Sequence, residues 1–221
     1  MEFGQFCPIA KSMEIIGEKW TILILRELLM GSTRFNALQR GLSMISPAVL
    51  TKRLNTLCDY ELVIKKKLPG QKGYEYLPTK AAEELLPIFI GLGDWGMRWT
   101  RQYLNSNDFD VNFLMTYLQR SIQVDKLPGH KANIKFQFTD LDRQPNWWIV
   151  VNGEIIDICT IDPCHEVDVY FTCTVKCLSD IWMGESTYKK EIKDGNLKLV
   201  GPSILVRDVT QWMSNCMFAI K

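Results

Sequence analysis

The stretch that decides the fold is Ser46-Pro47-Ala48-Val49-Leu50-Thr51-Lys52-Arg53-Leu54-Asn55-Thr56-Leu57, because its pattern predicts a helix with two unlike faces. Ser46 suits the N-cap, and Pro47 suits the first helical position, where its missing N–H costs nothing. The leucines recur at the spacing of a buried stripe. The other face offers side chains that fit a major groove and can hydrogen bond base edges: Ala48, Thr51, Lys52 and Asn55. A solvated amphipathic helix has the same periodicity, so the neighbouring sequence decides.

A basic β-hairpin is predicted just after this helix. Two short strand-like runs, residues 63–68 and 74–77, flank a Pro/Gly-rich turn at residues 69–73. A short helix capped by Thr33 is expected before the central helix, with Gly41 at the turn between the two helices. The order helix, turn, helix and hairpin predicts a winged helix-turn-helix.

Positive charge is concentrated in this region. The chain has a net charge of +1, but residues 1–105 carry +4 and residues 106–221 carry −3. Residues 34–72 hold eight Lys or Arg side chains against two acidic ones. Such a patch favours binding to a polyanion such as double-stranded DNA. We expect contacts to the DNA backbone or minor groove from Arg34, Ser46, Arg53, Lys65, Lys66, Lys67, Lys72 and Tyr74.

Bulk composition bounds the class of protein. The 221 residues are 47% apolar and 23% charged, enough for one or two ordinary cores. Residues 1–6 do not resemble a signal peptide, and no apolar stretch approaches membrane-spanning length. We therefore expect a cytoplasmic protein with no membrane partner. Its seven cysteines are then expected to be reduced thiols, and their odd number argues against a closed disulfide framework.

Further helices flank the basic region. One is predicted from Cys7 to Gly17, a nearly all-apolar central one over residues 19–30, and a long one starting at the capping residue Thr79. The long helix combines a wide apolar stripe with glycines, so another surface must pack against it. That surface is either the same chain or a second copy. We favour a homodimer interface formed by Ile9, Met13, Phe89, Leu92, Trp95, Gly96 and Trp99.

Several sequence blocks together resemble the HxlR-type winged helix-turn-helix regulators, from about residue 7 to residue 95. They include Cys7-Pro8-Ile9-Ala10, Ile16-Gly17-Glu18-Lys19-Trp20-Thr21 and Ile45-Ser46-Pro47-Ala48-Val49-Leu50. The resemblance implies a bacterial or archaeal transcription factor that binds DNA as a homodimer through the first and last helices of the domain. A two-fold dimer of this kind is expected to read a pseudo-palindromic operator.

Cys7 has two interpretations. The resemblance implies that it could sense oxidants or electrophiles, and a helix N-terminus stabilises a thiolate. The favoured interpretation is a small packing or capping residue.

The second half of the chain has a different pattern. A polar break at residues 105–108 separates a domain at 1–104 from one at 109–221. Alternating runs and an Asn152-Gly153 turn predict a mostly antiparallel sheet. With helices before and after the strands, the fold class of the whole chain is α+β. The predicted helices cover residues 109–125, 177–183 and 203–214, and the strands cover residues 132–138, 146–151 and 167–174.

This half resembles the sterol carrier protein type 2 fold through short dispersed pieces. They include Trp147-Trp148-Ile149-Val150-Val151-Asn152-Gly153 and Ile181-Trp182-Met183-Gly184. The resemblance implies a sheet-and-helix module around an apolar tunnel, and hence an apolar small-molecule effector. Ordinary core is the alternative for most of the large side chains. The candidate pocket residues are Trp148, Trp182, Met183 and Trp212.

Enzymes and metalloproteins are not indicated. Neither His130 nor His165 lies beside an evident nucleophile, and no cofactor-binding motif is present. The spacing of Cys159, Cys164, Cys173 and Cys177 does not match a zinc site. The sequence therefore predicts a DNA-binding repressor modulated by an apolar ligand. The alternative is a lipid-carrier or protein-interaction module that the N-terminal half dimerises.

Overall fold

The computed structural model describes residues 2–70 and 72–219 of the chain. The chain divides into two compact units, Met1–Arg101 and Gln102–Lys221. Each unit has a separate cluster of buried apolar side chains. No helix of the described residues is long and apolar enough to cross a bilayer.

The first unit is a winged helix-turn-helix, as predicted. Its helices surround a core in which Ile24, Leu25 and Leu38 have no solvent exposure. Trp20 has a left-handed backbone with φ of 78°, which starts the second helix two residues later than expected. In chain order the elements are α1 Pro8–Ile16, α2 Thr21–Leu29, α3 Phe35–Gly41, α4 Pro47–Asp59, β1 Val63–Lys67, β2 Tyr74–Pro78, α5 Lys80–Glu83 and α6 Leu86–Trp99.

The start of α3 differs from the prediction. Arg34, not Thr33, is the N-cap, and it makes no side-chain capping bond. The carbonyl of Thr33 instead accepts a hydrogen bond from the Tyr76 N–H at 2.8 Å, and Arg34 forms an antiparallel bridge with Glu75. Extended backbone at these residues therefore pairs with the hairpin, which joins the helix-turn-helix to the wing.

Gly41 also has another role than expected, because it is the last residue of α3 and not part of the turn. A Cβ atom at this position would collide with the carboxylate of Glu27, which is fully buried. The glycine is thus explained by the close approach of α2 and α3.

The long helix expected from Thr79 is two helices. Thr79 accepts a capping bond from the Ala82 N–H at 3.4 Å, but α5 ends at Glu83. Pro87 lies in the first turn of α6. A proline within a continuous helix would lack one N–H and clash with the carbonyl four residues earlier, so the chain breaks before it.

The second unit is an α+β module with a mixed sheet. In chain order its elements are α7 Val111–Ser121, β3 Lys131–Phe138, β4 Asn146–Asn152, β5 Ile155–Cys159, β6 Val169–Cys173, α8 Val175–Trp182, α9 Tyr188–Lys193, β7 Lys198–Val200, α10 Ser203–Arg207 and α11 Val209–Trp212. The strands have the order β5-β4-β3-β6-β7, with β3 and β6 parallel and the other neighbours antiparallel. The three predicted strands correspond to β3, β4 and β6.

The sheet has one core face. Ile134, Phe136 and Phe171 alternate with outward residues and pack with side chains from α7, α8 and α11. Lys135 on β3 and Trp148 on β4 are paired in register and belong to the other face.

Two helical predictions in this unit were wrong in detail, and one helix was not predicted. The first helix ends at Ser121 instead of residue 125, because the chain then pairs with the C-terminal segment: the Gln123 N–H donates to the Trp212 carbonyl at 2.8 Å. The last helix is broken at Asp208, whose carboxylate binds the Arg207 guanidinium. The helix α9 was not anticipated.

Candidate nucleic-acid interface

The helix α4 begins as the sequence predicted. The Ser46 hydroxyl accepts a hydrogen bond from the Val49 N–H at 3.3 Å, and Pro47 occupies the first turn. Leu50, Leu54 and Leu57 have no solvent exposure. These residues hold α4 against the core, so its orientation on the domain is fixed.

The opposite face of α4 is open to solvent. Ala48, Thr51, Lys52 and Asn55 are all exposed. The Thr51 hydroxyl donates its proton to the Pro47 carbonyl at 2.8 Å, so its oxygen is left to accept. Lys52 offers only donors, and the Asn55 amide offers both donor and acceptor. The face can therefore complement mixed donor and acceptor edges, such as those of bases in a major groove.

Arg53 has a structural role that the sequence did not reveal. Its guanidinium forms an ion pair with the Glu18 carboxylate, and its Nε donates to the Lys19 carbonyl at 3.2 Å. The side chain is only 15% exposed. Arg53 thus ties α4 to the turn between α1 and α2, whereas its contact with phosphate stays a prediction. Glu18, an acidic residue in the quoted block Ile16-Gly17-Glu18-Lys19-Trp20-Thr21, was the one sequence feature that could have indicated this ion pair.

The wing, which is the hairpin of β1 and β2, carries a row of basic side chains. Lys65, Lys66, Lys67, Lys72 and Tyr74 are all exposed, as a DNA-binding surface requires. The Lys65 ammonium lies 4.4 Å from the centre of the Tyr74 ring, a cation–π geometry. Lys67 is paired in register with Tyr74. The aromatic ring therefore organises part of the basic surface.

Two of the basic residues lie opposite Glu75, whose negative charge offsets part of their positive charge. Lys66 is paired in register with Glu75 across the hairpin. Arg34, at the bridge to the same glutamate, is half-buried and interacts within the protein. Lys65, Lys67 and Lys72 are consequently the stronger candidates for phosphate contacts.

An uncovered apolar surface runs along α6. The helix has no buried residue, although most of its side chains are large and apolar. Ile88, Leu92, Trp95 and Trp99 recur at helical spacing, and Trp95 and Trp99 are 51% and 61% exposed. Of the other residues proposed for the interface, Ile9 on α1 is exposed and Met13, Phe89 and Gly96 are half-buried. Ile88 was not among the residues predicted for the interface.

Cys7 is the N-cap residue of α1. Its backbone is extended, it makes no side-chain capping bond and it is half-buried. The structure therefore shows no capping by the Cys7 side chain, and packing and thiol sensing are the two roles left for it.

The structure separates the four candidate pocket residues of the second unit. Trp182 and Trp212 belong to the core cluster, with Met183 packed against it. The indole N–H groups of Trp182 and Trp212 donate to Ser121 Oγ at 2.9 Å and to the Leu205 carbonyl at 2.8 Å. Trp148 lies on the other face of the sheet, since strand alternation directs Trp147 to the core. Trp148 therefore cannot line a pocket with the other three.

Half-buried aromatic rings surround Trp182, and sequence reasoning missed them. The ring of Tyr117 lies 5.4 Å from that of Trp182, and Phe113 lies 6.3 Å from it. The Arg120 guanidinium covers Tyr117 at 4.7 Å. Within residues 2–70 and 72–219 no group of three or more His, Cys, Asp or Glu side chains is arranged to hold a metal ion.

Comparison with known proteins places the first unit in a family. The profile of HxlR-like helix-turn-helix proteins matches residues 15–103. An HTH-type transcriptional regulator of Synechocystis is 32% identical over 102 residues, covering 46% of this chain and 76% of that protein. Another regulator of this type, from Mycobacterium tuberculosis, is 35% identical over 91 residues. The match covers 40% of this chain and 56% of that protein.

Among solved structures, one described as a MarR-family transcriptional regulator of Porphyromonas gingivalis is 35% identical. It covers 42% of this chain and 92% of that one, with a TM-score of 0.40. The sequence matches, together with the winged helix-turn-helix geometry, identify the chain as a member of the HxlR-like helix-turn-helix family of DNA-binding transcriptional regulators.

Proposed function

We propose that this protein is a homodimeric transcriptional repressor that binds a pseudo-palindromic operator, and that an apolar small molecule in its second unit modulates this binding. The observation that carries the proposal is the face of α4: a capped helix held by a leucine stripe, with Ala48, Thr51, Lys52 and Asn55 exposed together. Such a helix can enter a major groove without rearranging the domain.

The wing supports a second set of DNA contacts. Lys65, Lys67 and Lys72 are exposed on or beside a two-stranded hairpin, and lysines of this kind neutralise phosphates. Tyr74 stacks against Lys65 and limits its freedom, so less conformational entropy is lost when the DNA is bound. The base contacts then belong to α4, and the charge contacts belong mainly to the wing.

The uncovered stripe of α6 supports the homodimer. Four large apolar side chains on one helical face are each at least half exposed, which is unusual for a monomer. A second copy is the occupant that a two-fold DNA-binding protein supplies, since isologous pairing of the two α6 helices covers both stripes. Ile9 and Met13 on α1 extend the apolar surface available to the partner.

Half-buried side chains beside the buried Trp182 support the effector. Phe113, Tyr117 and Trp182 with Met183 form an apolar wall between α7 and the end of α8. Aromatic and thioether side chains of this kind line apolar ligand sites. A sterol carrier-like module would use such a wall. The ligand can alter repression only if it binds the DNA-competent and DNA-incompetent states unequally. The alternative trigger is oxidation of Cys7, which lies at the start of α1 beside the proposed dimer surface.

Selection from a library of random DNA duplexes tests the proposal. The full chain is expected to enrich an inverted repeat whose half-sites are about one helical turn apart, roughly 10 base pairs. Enrichment of a single half-site would overturn the homodimer. No enrichment, with retention of lipid by the second unit, would favour the lipid-carrier alternative. To separate the two triggers, operator affinity is measured for the wild type and for Cys7→Ser after oxidation. A loss of affinity in the wild type that Cys7→Ser does not show would support oxidation of Cys7 as the trigger.

A further inference from the structure

Trp148 is a buried aromatic residue that neither the DNA-binding surface nor the proposed effector wall uses. It lies on the outer face of the sheet, which is the face opposite the core, and it is 5% exposed. Its indole Nε1 is buried and has no hydrogen-bond partner among the described residues. The same holds for Asn146 Oδ1, two residues earlier on β4 and therefore on the same face. Because buried polar groups in folded proteins nearly always have partners, this donor and this acceptor point to a bound molecule.

A lysine places positive charge beside the same indole. Lys135 on β3 is paired in register with Trp148, and its ammonium lies 5.2 Å from the centre of the indole ring. Lys135 is half-buried, and its ammonium forms no ion pair within residues 2–70 and 72–219. A carboxylate accepts hydrogen bonds from both an ammonium and an indole N–H, so Lys135 and Trp148 together suit a carboxylate ligand.

The connection between β5 and β6 passes across the outer face. The strand order places β4 and β3 between β5 and β6, so residues 160–168 must cross both strands. Asn133 on β3 shows which face they cross, because its side chain is on the outer face and its Nδ2 donates to the Glu166 carbonyl at 2.9 Å. Asn133 is paired in register with Val150, so this tie lies beyond Trp148 along β4.

A second tie holds the start of the connection. Gln144 Nε2 donates to the carbonyls of Thr160 and Asn146, at 2.6 and 2.8 Å. Trp148 therefore lies between the two ties along β4. The middle of the connection is held less firmly, since Ile161 is 81% exposed and residues 164–166 are also exposed. A small molecule can reach the indole N–H if this middle part moves away from the sheet.

We propose that the outer face of the sheet at Trp148 binds a small hydroxycarboxylate. The ligand carboxylate accepts from the Trp148 indole N–H and pairs with the Lys135 ammonium, and the ligand hydroxyl donates to Asn146 Oδ1. Trp148 and Asn146 are two residues apart on a strand, which separates their Cα atoms by about 6.6 Å. A hydroxyl on the carbon next to the carboxylate allows one small molecule to reach both groups. The site is separate from the proposed effector wall, because Trp182 packs on the core face.

Three related ligand classes fit less well. A neutral amide would bind Trp148 and Asn146 but would leave the Lys135 ammonium without a carboxylate. An amino acid would bring a second ammonium close to Lys135, and like charges repel. A simple carboxylic acid would leave Asn146 Oδ1 without a donor, which is unfavourable for a buried atom.

Nuclear magnetic resonance of the full-length protein tests the site. The indole N–H signal of Trp148 is observed in isotope-labelled protein and is assigned as the signal that is missing from Trp148→Phe. We expect lactate to shift this signal in a saturable manner. Propionate, which lacks the hydroxyl, and lactamide, which lacks the charge, are expected to bind about tenfold more weakly than lactate.

A matched pair of variants tests the role of the lysine. Lys135→Met is expected to lose the preference for lactate over lactamide, whereas Lys131→Met, at an exposed lysine on the same face of β3, should retain it. The proposal is overturned if lactate leaves the Trp148 signal unshifted, if the three ligands bind with equal affinity, or if Lys135→Met keeps the full preference. The comparison of the three ligands uses the wild type, so it stands even if a variant fails to fold.

Discussion

Lys52 and Arg53 are adjacent basic residues with different surroundings. Lys52 extends into solvent from the outer face of α4, whereas Arg53 binds Glu18 and the Lys19 carbonyl. Helical geometry separates neighbours by about 100° around the axis, so consecutive residues do not share a face. The sequence predicted a DNA contact for both, to bases for Lys52 and to the DNA backbone for Arg53. Their separate roles follow from where α4 packs, which a single sequence does not reveal.

Substitution of Arg53 tests this division at the level of stability. Arg53→Ala is expected to lower the free energy of unfolding of the first unit by about 1 kcal/mol, because the pair is partly screened by solvent at Glu18. Glu18→Gln should produce a similar decrease, measured by chemical denaturation. Lys52→Ala is the matched control and should leave stability unchanged. Equal stability of all three variants and the wild type would contradict the assignment of Arg53.

A second residue-scale prediction concerns acid stability. Hydrogen bonds from Ser186 and Asn196 lower the pKa of the Glu191 carboxyl below its usual value. The folded state therefore binds a proton less readily than the unfolded state. The Glu191 carboxylate therefore contributes its full stabilisation above its pKa in the unfolded chain, about 4.3. This contribution is lost as the pH falls through the lower pKa that Glu191 has in the folded protein.

Glu191→Gln is consequently expected to unfold at a lower temperature than the wild type at neutral pH. The difference between the two melting temperatures should shrink as the pH falls below about 4. Thermal unfolding followed by circular dichroism across this range provides the measurement. A difference that grows with acidity would have the wrong sign for a lowered pKa.

At the scale of elements, the sequence predicted the type and order of structures in the first unit better than their boundaries. Ser46 and Pro47 mark the start of α4 because capping is a local interaction. Pro87 was equally visible, but the apolar stripe on both sides of it favoured one continuous helix. The structure resolves the conflict by ending α5 before the proline. Thr33 failed as a cap because its backbone pairs with the distant β2.

Local sequence also does not determine which face of a strand packs against the core. Trp147 and Trp148 are neighbours within an apolar run, and either could face the core. The register with β3 decides the matter by placing Trp148 opposite Lys135. The ammonium of Lys135 lies 5.2 Å from the centre of the Trp148 ring. On the face of the sheet opposite the core, this lysine therefore helps to cover the indole. Long-range pairing of this kind is not encoded in local periodicity.

The stripe on α6 gives a prediction for the whole helix. Trp95→Glu is expected to convert the proposed homodimer to a monomer, because two buried carboxylates at a two-fold interface would be desolvated and close to each other. Sedimentation or light scattering at micromolar concentration measures the mass. Asp94→Lys, a charge change on the other side of α6, is the control and should remain dimeric. A wild-type protein that is monomeric throughout would refute the interface.

At the scale of the whole molecule, the chain combines a family domain with a second unit outside the family match. The family profile ends at residue 103, and the two compact units divide at Arg101 and Gln102. The α+β pattern of the second unit could be predicted, because alternating strands and the Asn152-Gly153 turn are local signals. Its ligand could not, because the side chains around Trp182 come together only through the packing of α7 against α8.

DNA binding by α4 is the central claim, and salt-dependent affinity tests it most directly. Fluorescence anisotropy with a duplex obtained by the selection is measured between about 50 and 200 mM salt for the wild type, Lys52→Ala and Lys189→Ala. Lys189 is an exposed lysine of the second unit and controls for loss of one charge.

We predict that wild-type affinity falls steeply with salt. Lys52→Ala should weaken binding about fivefold or more, roughly 1 kcal/mol, and Lys189→Ala should not. Equal affinities for Lys52→Ala and the wild type would contradict the account of α4 as the recognition helix.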